Sequence, residues 1–368
     1  MSALATEVLT EVLGKVGFIT LNRPAALNAL TLQMIRDLTV CLLAWRDNDQ
    51  VQAVAIRGSN KAGPFGAFCA GGDIRFFYQA LLSGDPSPED FFTEEYTLNH
   101  LIHTFPKPYI AFMDGVVMGG GMGISQGASH RLVTLCTKMA MPETTIGLFP
   151  DVAGGFFLSR CPGQVGEWLA LTGNALTADD AVALGLADRC IEASQQAAVW
   201  HALAQLESLD QSTIGALIAA FSIAVSPFDT RARGQIDQYF GKTSILSIVQ
   251  ALEADSSAWA QHTARQLRQR SPLMLHVALE QIRRARQMVL ADELRMERDM
   301  VRHCFFTRHL GRSGARTETA EGIRALVIDK DNAPQWNPAR IEDVTFEMVL
   351  PFFDSPWARH SHPLLGLS

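Results

Sequence analysis

Short apolar runs and helical periodicity alternate along the first half of the chain. Residues 16–22 and 51–57 are rich in β-branched side chains, which favours short buried strands. Between them, residues 31–45 place an apolar side chain at every third or fourth position, the spacing of an amphipathic helix. A strand, a helix and a strand in that order predict a right-handed crossover unit.

The same alternation continues further along the chain. Residues 108–113 and 131–136 are predicted strands, and the small residues 121–129 between them are a predicted helix. A further helix is expected over 177–184, with Thr177 as N-cap and Gly185 just after its end. Repeated units of this kind predict an α/β core with stacked sheets.

The strand pattern disappears from about residue 196. Residues 245–308 are rich in Leu, Gln, Arg, Glu and Met, and Ser271-Pro272 is a start signal for a helix through Arg284. No proline- or serine-rich linker precedes this region. We therefore expect a core over residues 1–195 and a mainly helical carboxyl-terminal region over 196–368 that packs on it.

Composition and charge narrow the class of protein. The 368 residues are 48% hydrophobic and 19% charged, as in a soluble enzyme, and the formal net charge of -7 argues against a nucleic-acid partner. The six cysteines show no C-x-x-C spacing, the ten histidines show no metal-ligand spacing, and no apolar run is long enough to span a bilayer. The amino terminus resembles neither a secretory signal nor a transit peptide, so the sequence predicts a cytoplasmic protein without a metal or a membrane partner.

Two glycine-rich turns are the first candidate site. They span residues 68–74, with the sequence FCAGGDI, and 118–123, with the sequence MGGGMG. Alone, the first turn is explained better as an ordinary type I or II turn, and the second equally well as a tight packing turn between a strand and a helix. Together, two turns from adjacent crossover units can point backbone N–H groups at a single oxygen atom, which stabilises an enolate or a tetrahedral oxyanion.

Two acids follow the second turn. Glu143 and Asp151 are eight residues apart and have apolar neighbours, so we expect at least one of them to lie in a poorly hydrated place with a raised pKa. A carboxyl group there can act as a base or a nucleophile. Their structural alternatives are a surface acid after Pro142 and an N-cap for residues 153–157.

The combined order of these motifs resembles a known family. Leu21-Asn22-Arg23-Pro24, the two glycine-rich turns and Ala140-Met141-Pro142-Glu143-Thr144 look like the crotonase (enoyl-CoA hydratase/isomerase) superfamily. The finer pattern, which includes residues 147–152 and 321–331, is similar to 3-hydroxyisobutyryl-CoA hydrolases. The resemblance covers nearly the whole chain and is weakest over residues 196–270.

The resemblance implies a spiral of β-β-α units that binds an acyl-CoA thioester. By carry-over, the N–H groups of Gly72 and Gly120 form the oxyanion hole, Glu143 is the catalytic glutamate, Asp151 is the second acid, and Glu95 is a substrate-binding acid. Coenzyme A enters as part of the substrate, so no cofactor is expected. Homo-oligomers are common in the family, and the long helical region is compatible with a lower-order assembly.

Three functions remain open at this point. The first is hydrolysis of a short 3-hydroxyacyl-CoA, above all 3-hydroxyisobutyryl-CoA in valine breakdown. The second is an enoyl-CoA hydratase or isomerase; hydratases usually carry a second glutamate where this chain has Gly123, which favours hydrolysis. The third is a non-catalytic acyl-CoA-binding subunit, which would be expected to lose an acid. The polar and basic segment 311–319 departs from the family pattern and leaves the substrate range open.

Overall fold

The computed structural model describes residues 6–368, so the first five residues of the predicted core lie outside the described part. The strands are β1 Val8–Leu13, β2 Val16–Leu21, β3 Ala53–Asn60, β4 Gly63–Pro64, β5 Tyr109–Met113, β6 Val116–Met118, β7 His130–Val133, β8 Lys138–Ala140, β9 Arg189–Ile191 and β10 Ser222–Ile223.

The helices occupy the remaining length and dominate the carboxyl-terminal half. They are α1 Leu32–Arg46, α2 Ile74–Ser83, α3 Ser87–His103, α4 Gly120–Gly123, α5 Gly154–Leu158, α6 Val165–Thr172, α7 Ala178–Ala183, α8 Gln196–Leu203, α9 Gln211–Phe221, α10 Thr230–Phe240, α11 Ile245–Ala254, α12 Ala258–Gln269, α13 Pro272–Ala285, α14 Leu290–Phe305, α15 Glu318–Ile323 and α16 Phe346–Val349.

The chain forms two compact units that alternate along the sequence. The first contains the residues up to Gly72, 97–140 and 175–228, and the second contains 73–96, 141–174 and 229–368. The sequence suggests one boundary after residue 195, whereas this division assigns segments from both halves of the chain to each unit.

A mostly parallel sheet forms the framework of the first unit. Its strand order is β1-β2-β3-β5-β7-β9-β10, with β4 on β3. The four pairs from β2 to β9 are parallel, and the outer pairs β1–β2 and β9–β10 are antiparallel. All five residues of β5 are buried, which explains the continuous apolar run that marks this strand in the sequence.

A second, two-stranded sheet places the later glycine turn. Strands β6 and β8 pair in parallel, with Met118 opposite Ala140. Gly119 then reverses the chain direction with φ of 48°, a left-handed backbone angle that favours glycine, and α4 begins at Gly120.

The core of the first unit centres on Trp200 of α8. Its ring lies 4.5 Å from that of Phe18, 5.9 Å from that of Phe65 and 5.3 Å from that of Phe112, measured between centroids. Helices α8 and α9 thus cover one face of the sheet through apolar burial, the main driving force for such packing.

Helices build the second unit. Buried phenylalanines from α2, α3 and α14 pack together there, with Phe77 and Phe92 stacked at 4.9 Å and Phe305 at 5.3 Å from Phe92. The N-terminus of α13 is capped by Ser271, whose hydroxyl accepts from the N–H of Met274 as the Ser-Pro signal predicts. This packing fixes α3 and α14, which carry acids into the interior, and α13, which carries Gln281 there.

Most of the elements expected from the sequence are present, with corrections at their ends. Thr177 and Asp180 form the capping box of α7. The small-residue helix is much shorter than the predicted range 121–129, because a run of glycines supports little more than one helical turn. Residues 83–94 look in the sequence like an exposed loop that leads into a helix, and the helix, α3, begins at Ser87. Strand β10 contradicts the expectation that strands end near residue 196; it adds two residues to an existing edge.

Candidate active site

The two glycine-rich turns lie side by side in the first unit. A parallel bridge joins Cys69 to Val117, and the N–H of Met118 donates to the carbonyl of Cys69 at 3.0 Å. Gly71 has φ of +101°, and a Cβ there would lie 3.2 Å from the carbonyl oxygen of Met118 and 3.5 Å from the nitrogen of Gly120. Glycine at this position therefore allows the close approach of the turns, which confirms that the crossover units bring them together.

Backbone geometry orients one N–H group in each turn. The carbonyl of Gly71 accepts from the N–H of Leu30 at 2.7 Å. Because a trans peptide unit points its C=O and its N–H in opposite directions, the N–H of Gly72 points away from Leu30. Gly120 is the first residue of α4, and the N–H groups of a first helical turn have no acceptor within their own helix. Both are neutral donors that are available to an oxygen atom.

Glu143 lies in the interior of the second unit. It is the first residue of a 3-10 turn, Glu143–Ile146, and only 6% of its surface is exposed. The turn is fixed because Gly147 has φ of +68° and because the carbonyl of Thr144 accepts from the N–H of Ser271 at 3.1 Å. The alternative of a surface acid is excluded. Among the described residues, Oε2 of Glu143 has no hydrogen-bond partner.

Asp151 lies on an unusual turn and faces a tyrosine. The hydroxyl of Tyr96, on α3, donates to Oδ2 of Asp151 at 2.8 Å. The next two residues, Val152 and Ala153, have φ of 56° and 68°, which is uncommon for residues with a Cβ. The Asp151 side chain does not cap α5, since the N-cap is Ala153 and no side-chain bond is made from that position. The N-cap alternative is therefore wrong.

Glu95 precedes Tyr96 on α3 and is also buried. Only 2% of its surface is exposed, and within residues 6–368 its Oε1 has no hydrogen-bond partner. Burial is the main reason that the pKa of Glu95 is well above its ordinary value, and the neighbouring Asp151 and Glu143 raise it further. All three acids named from the sequence thus influence one another within the second unit.

The three carboxyl groups differ in acidity. Burial raises the pKa of Glu143 well above its ordinary value, and the charge of Asp151 adds to the effect. Burial also raises the pKa of Asp151, but the hydrogen bond from Tyr96 opposes this and leaves it at about 6. Asp151 is therefore the group that releases its proton most readily, and burial favours the protonated forms of Glu95 and Glu143.

Sequence reasoning missed four polar residues beside this cluster. Tyr96 binds Asp151, and Gln281, Glu293 and Glu297 approach the same turn from α13 and α14. The signal for the two glutamates was present: their spacing of four places them on one helical face, and Leu294 and Val301 put Glu297 in phase with buried positions of α14. An acidic residue whose helical spacing matches that of the buried apolar residues is expected to point into the interior and to have a polar function there.

These two regions have complementary chemistry. The glycine turns offer neutral N–H donors, which stabilise an oxygen atom that gains negative charge. The acids offer carboxyl groups of different acidity, which can accept and donate protons.

Comparison with known proteins identifies related sequences over nearly the whole chain. The family model described as enoyl-CoA hydratase/isomerase matches residues 16–353. A zebrafish (Danio rerio) protein is 38% identical over 96% of this chain and 91% of its own length, and a chicken (Gallus gallus) protein is 36% identical over 94% and 88%. Both are named mitochondrial 3-hydroxyisobutyryl-CoA hydrolase. An Arabidopsis thaliana protein named probable 3-hydroxyisobutyryl-CoA hydrolase 3 is 35% identical over 96% and 92%.

The names of the animal relatives overturn one prediction. They place those proteins in the mitochondrion, so the expectation of a cytoplasmic protein is wrong. None of the helices in residues 6–368 is long and apolar enough to cross a membrane.

Two solved structures share the fold. One, from Mycobacterium thermoresistibile, is titled a carnitinyl-CoA dehydratase; its TM-score is 0.84 at 36% identity, with 94% of this chain and 96% of that chain covered. The other, from Rhodobacter sphaeroides, is titled an enoyl-CoA hydratase; its TM-score is 0.82 at 33% identity, with 95% and 98% covered. These likenesses confirm the predicted crotonase-like α/β fold with its helical carboxyl-terminal region.

Proposed function

The chain belongs to the enoyl-CoA hydratase/isomerase family, and we propose that within it the protein is an acyl-CoA thioester hydrolase. The substrate we propose is a short 3-hydroxyacyl-CoA, with 3-hydroxyisobutyryl-CoA of valine breakdown first, since the curated relatives at 34–38% identity carry that name. The observation that carries the proposal is the cluster of three buried carboxyl groups, Glu95, Glu143 and Asp151, in which only Asp151 accepts a hydrogen bond from Tyr96.

The proposed oxyanion hole consists of the N–H groups of Gly72 and Gly120. When water or a carboxylate adds to a thioester, the carbonyl oxygen becomes negatively charged, and preorganised N–H donors stabilise it without titrating. Loss of one donor in comparable sites costs about 3–4 kcal/mol in the activation barrier. The side-by-side turns support this role because each contributes one N–H that its own element leaves unbonded.

We assign the proton transfers to Glu143 and Asp151. Asp151 is the more acidic of the two, so its ionised form can take a proton from the attacking water, while the protonated form of Glu143, which burial favours, gives a proton to the departing thiolate. The reaction consumes one water molecule and yields the free acid and the thiol of coenzyme A. Direct attack by Glu143, with a mixed anhydride as intermediate, is the alternative route.

Glu95 is the proposed partner of the substrate's 3-hydroxyl group. Burial raises the pKa of this carboxyl group well above its ordinary value, and in the protonated form that burial favours it can donate one hydrogen bond and accept another, as a hydroxyl group requires. An acyl chain without the hydroxyl would leave this carboxyl group unpaired in the interior, which disfavours binding. The proposal involves no metal and no cofactor, since coenzyme A is part of the substrate.

Hydration of a short enoyl-CoA is the second candidate, because both solved structures quoted above are titled as hydratase or dehydratase. Helix α4 carries no carboxyl group, and Gly123 occupies the position where hydratases place a second glutamate. Hydrolysis fits this arrangement better. A binding subunit without catalysis fits less well, since all the acids are retained.

One assay separates the three candidates. Thiol release from 3-hydroxyisobutyryl-CoA is measured beside loss of the double-bond absorbance of crotonyl-CoA on the same sample. We expect fast thiol release and no hydration. Hydration without thiol release would replace hydrolysis by the hydratase function, and acyl-CoA binding without either reaction would indicate a binding subunit.

Oxygen labelling separates the two routes of hydrolysis. After many turnovers in water enriched in oxygen-18, a mixed anhydride that water opens at the glutamyl carbonyl leaves label in the Glu143 carboxyl group. Direct attack of water on the thioester labels only the product. The pKa order of the two acids favours an unlabelled Glu143.

A further inference from the structure

The turn that carries Asp151 needs an external support. Val152 and Ala153 both have left-handed backbone angles, which residues with a Cβ adopt only when their surroundings hold them there. Strained backbone of this kind occurs at sites where a side chain must be presented in one direction.

Two buried side chains supply that support. Oε2 of Glu297 accepts from the N–H of Ala153 at 2.8 Å, and Oε1 accepts from the N–H of Gly155 at 3.0 Å. Nε2 of Gln281 donates to the carbonyl of Pro150 at 2.7 Å and to Oε1 of Glu297 at 3.0 Å. The bonds fall before and after the left-handed pair, so they hold the turn from both sides.

We propose that Glu297 is a positioning residue for the reaction: from α14 it fixes the Val152–Ala153 turn and so holds the Asp151 carboxyl group against Tyr96 in its working orientation. The inference rests on the proposed function of Asp151 and assigns Glu297 no contact with the substrate. Gln281 is its partner in the same task.

The chemistry of the turn requires a carboxyl group at this position. The two N–H donors approach two different oxygens of Glu297. An amide has only one oxygen, so in Glu297→Gln an NH₂ group would face a backbone N–H, and one of the two bonds would be lost. The change preserves size and shape and acts only on the support of the turn.

Glu293 provides a matched control from the same helix. Its Oε1 lies against the same turn, since a Cβ added to Gly155 would come within 2.2 Å of it. Two acids buried together cannot both ionise, so the pair keeps a proton. Within the described residues, no backbone N–H donates to Oε1 or Oε2 of Glu293, so Glu293→Gln removes no bond from the backbone. Burial raises the pKa of Glu293 to about 7, consistent with a shared proton.

The first test compares the two variants in the thiol-release assay. We expect Glu297→Gln to lower kcat by about 30- to 100-fold, because an error of about 1 Å in the placement of a reacting group costs that much, with KM changed less than about threefold. Glu293→Gln should stay within about threefold of the parent in both parameters. Equal effects of the two variants, or a loss confined to KM, would overturn the inference.

A double-mutant cycle tests whether Glu297 acts through Asp151. In the Asp151→Asn background, Glu297→Gln should have almost no further effect on kcat, because the group that it positions is already gone. A general structural role would lower kcat by the same factor in both backgrounds, and that result would contradict the proposal.

Two further measurements keep the test decisive. If Glu297→Gln does not fold, Gln281→Met removes the bonds to Pro150 and Glu297 without adding a donor, and we expect kcat to fall about tenfold at unchanged KM; full activity would overturn the inference.

If the parent releases no thiol, the proposed function fails separately. Amide hydrogen exchange of Ala153 and Gly155 then decides, since it should accelerate in Glu297→Gln and not in Glu293→Gln.

Discussion

The first compact unit presents its candidate groups as backbone, whereas the second presents them as side chains. Gly72 and Gly120 offer N–H dipoles that never titrate. Placing these groups requires unusual backbone angles in the preceding residues, as the positive φ values of Gly71 and Gly119 show. Glu95, Glu143 and Asp151 offer groups that titrate, and placing them requires burial of carboxyl groups away from water.

This difference separates what each region contributes. Neutral donors stabilise charge equally well at any pH, but they cannot move a proton. Buried carboxyl groups can move protons, but they oppose folding whenever they ionise in the interior. The two regions should therefore respond differently to substitution, to pH and to denaturation, and each response can be measured.

The largest expected effect is that of Glu143→Gln. The amide keeps the shape of the side chain but can neither give nor take the proton, so we expect kcat to fall by about 10³- to 10⁴-fold, within the range for loss of a general acid or base or a nucleophile. Binding of acyl-CoA, measured by calorimetry, should change little. Unchanged turnover would remove Glu143 from the mechanism.

Gly120→Pro is the corresponding change in the backbone region. Proline removes the N–H but is well tolerated at the first position of a helix, so α4 should persist. We expect kcat to fall by about 10²- to 10³-fold, the effect of losing one oxyanion donor. Because a backbone N–H does not titrate, the remaining activity of this variant should keep the pH profile of the parent, unlike that of a variant in the carboxyl groups. An altered profile, or retained activity, would show that the oxyanion is held elsewhere.

The same difference explains how much the sequence could predict. The glycine turns, the acids Glu143 and Asp151 and the capping box of α7 each lie within a short segment, so their chemistry is visible locally. Packing of distant helices brings Tyr96 to Asp151 and brings Gln281 and Glu297 to the backbone on either side of it. No single segment of the sequence encodes these contacts.

Strand β1 shows why parts of the fold were also missed. It is an edge strand with five of its six residues outside the core, so it lacks the apolar run that identified β2. Its antiparallel partner supplies the register, with Val8 opposite Leu21. The roles carried over to Gly72, Gly120, Glu95, Glu143 and Asp151 remain proposals that the kinetic experiments test.

The free energy of unfolding should reveal what the buried carboxyl groups cost. The pKa of Asp151 is about 6 in the folded chain and about 3.9 when unfolded, so the folded state binds more protons between these values. Ionisation of Asp151 therefore lowers the free energy of unfolding as pH rises. This loss is absent below both pKa values and is complete above about pH 7, where it amounts to about 3 kcal/mol. Asp151→Asn has no carboxyl group to ionise, so it lacks this loss of stability, and its amide oxygen can still accept the hydrogen bond from the hydroxyl of Tyr96.

We therefore expect the stability advantage of Asp151→Asn over the parent to grow by about 2 kcal/mol between pH 4.5 and pH 8 in urea titrations. Gly120→Pro is the control from the other region, and its difference from the parent should not change with pH. Parallel curves for the parent and Asp151→Asn would mean that Asp151 is not held in a desolvated place.

The smallest expected effect tests the hydrogen bond that distinguishes Asp151 from its neighbours. Tyr96→Phe removes the hydroxyl that lowers the pKa of Asp151, so this pKa should rise above about 6. Because the proposed reaction needs ionised Asp151, the acid limb of kcat/KM should move to higher pH by up to about one unit, with a severalfold loss at pH 6 and almost none at pH 8. A uniform loss at every pH would assign Tyr96 to packing instead. If the limb stayed in place, another group would titrate there, and the ionised carboxyl group that the reaction needs would have to be sought among the neighbours of Asp151.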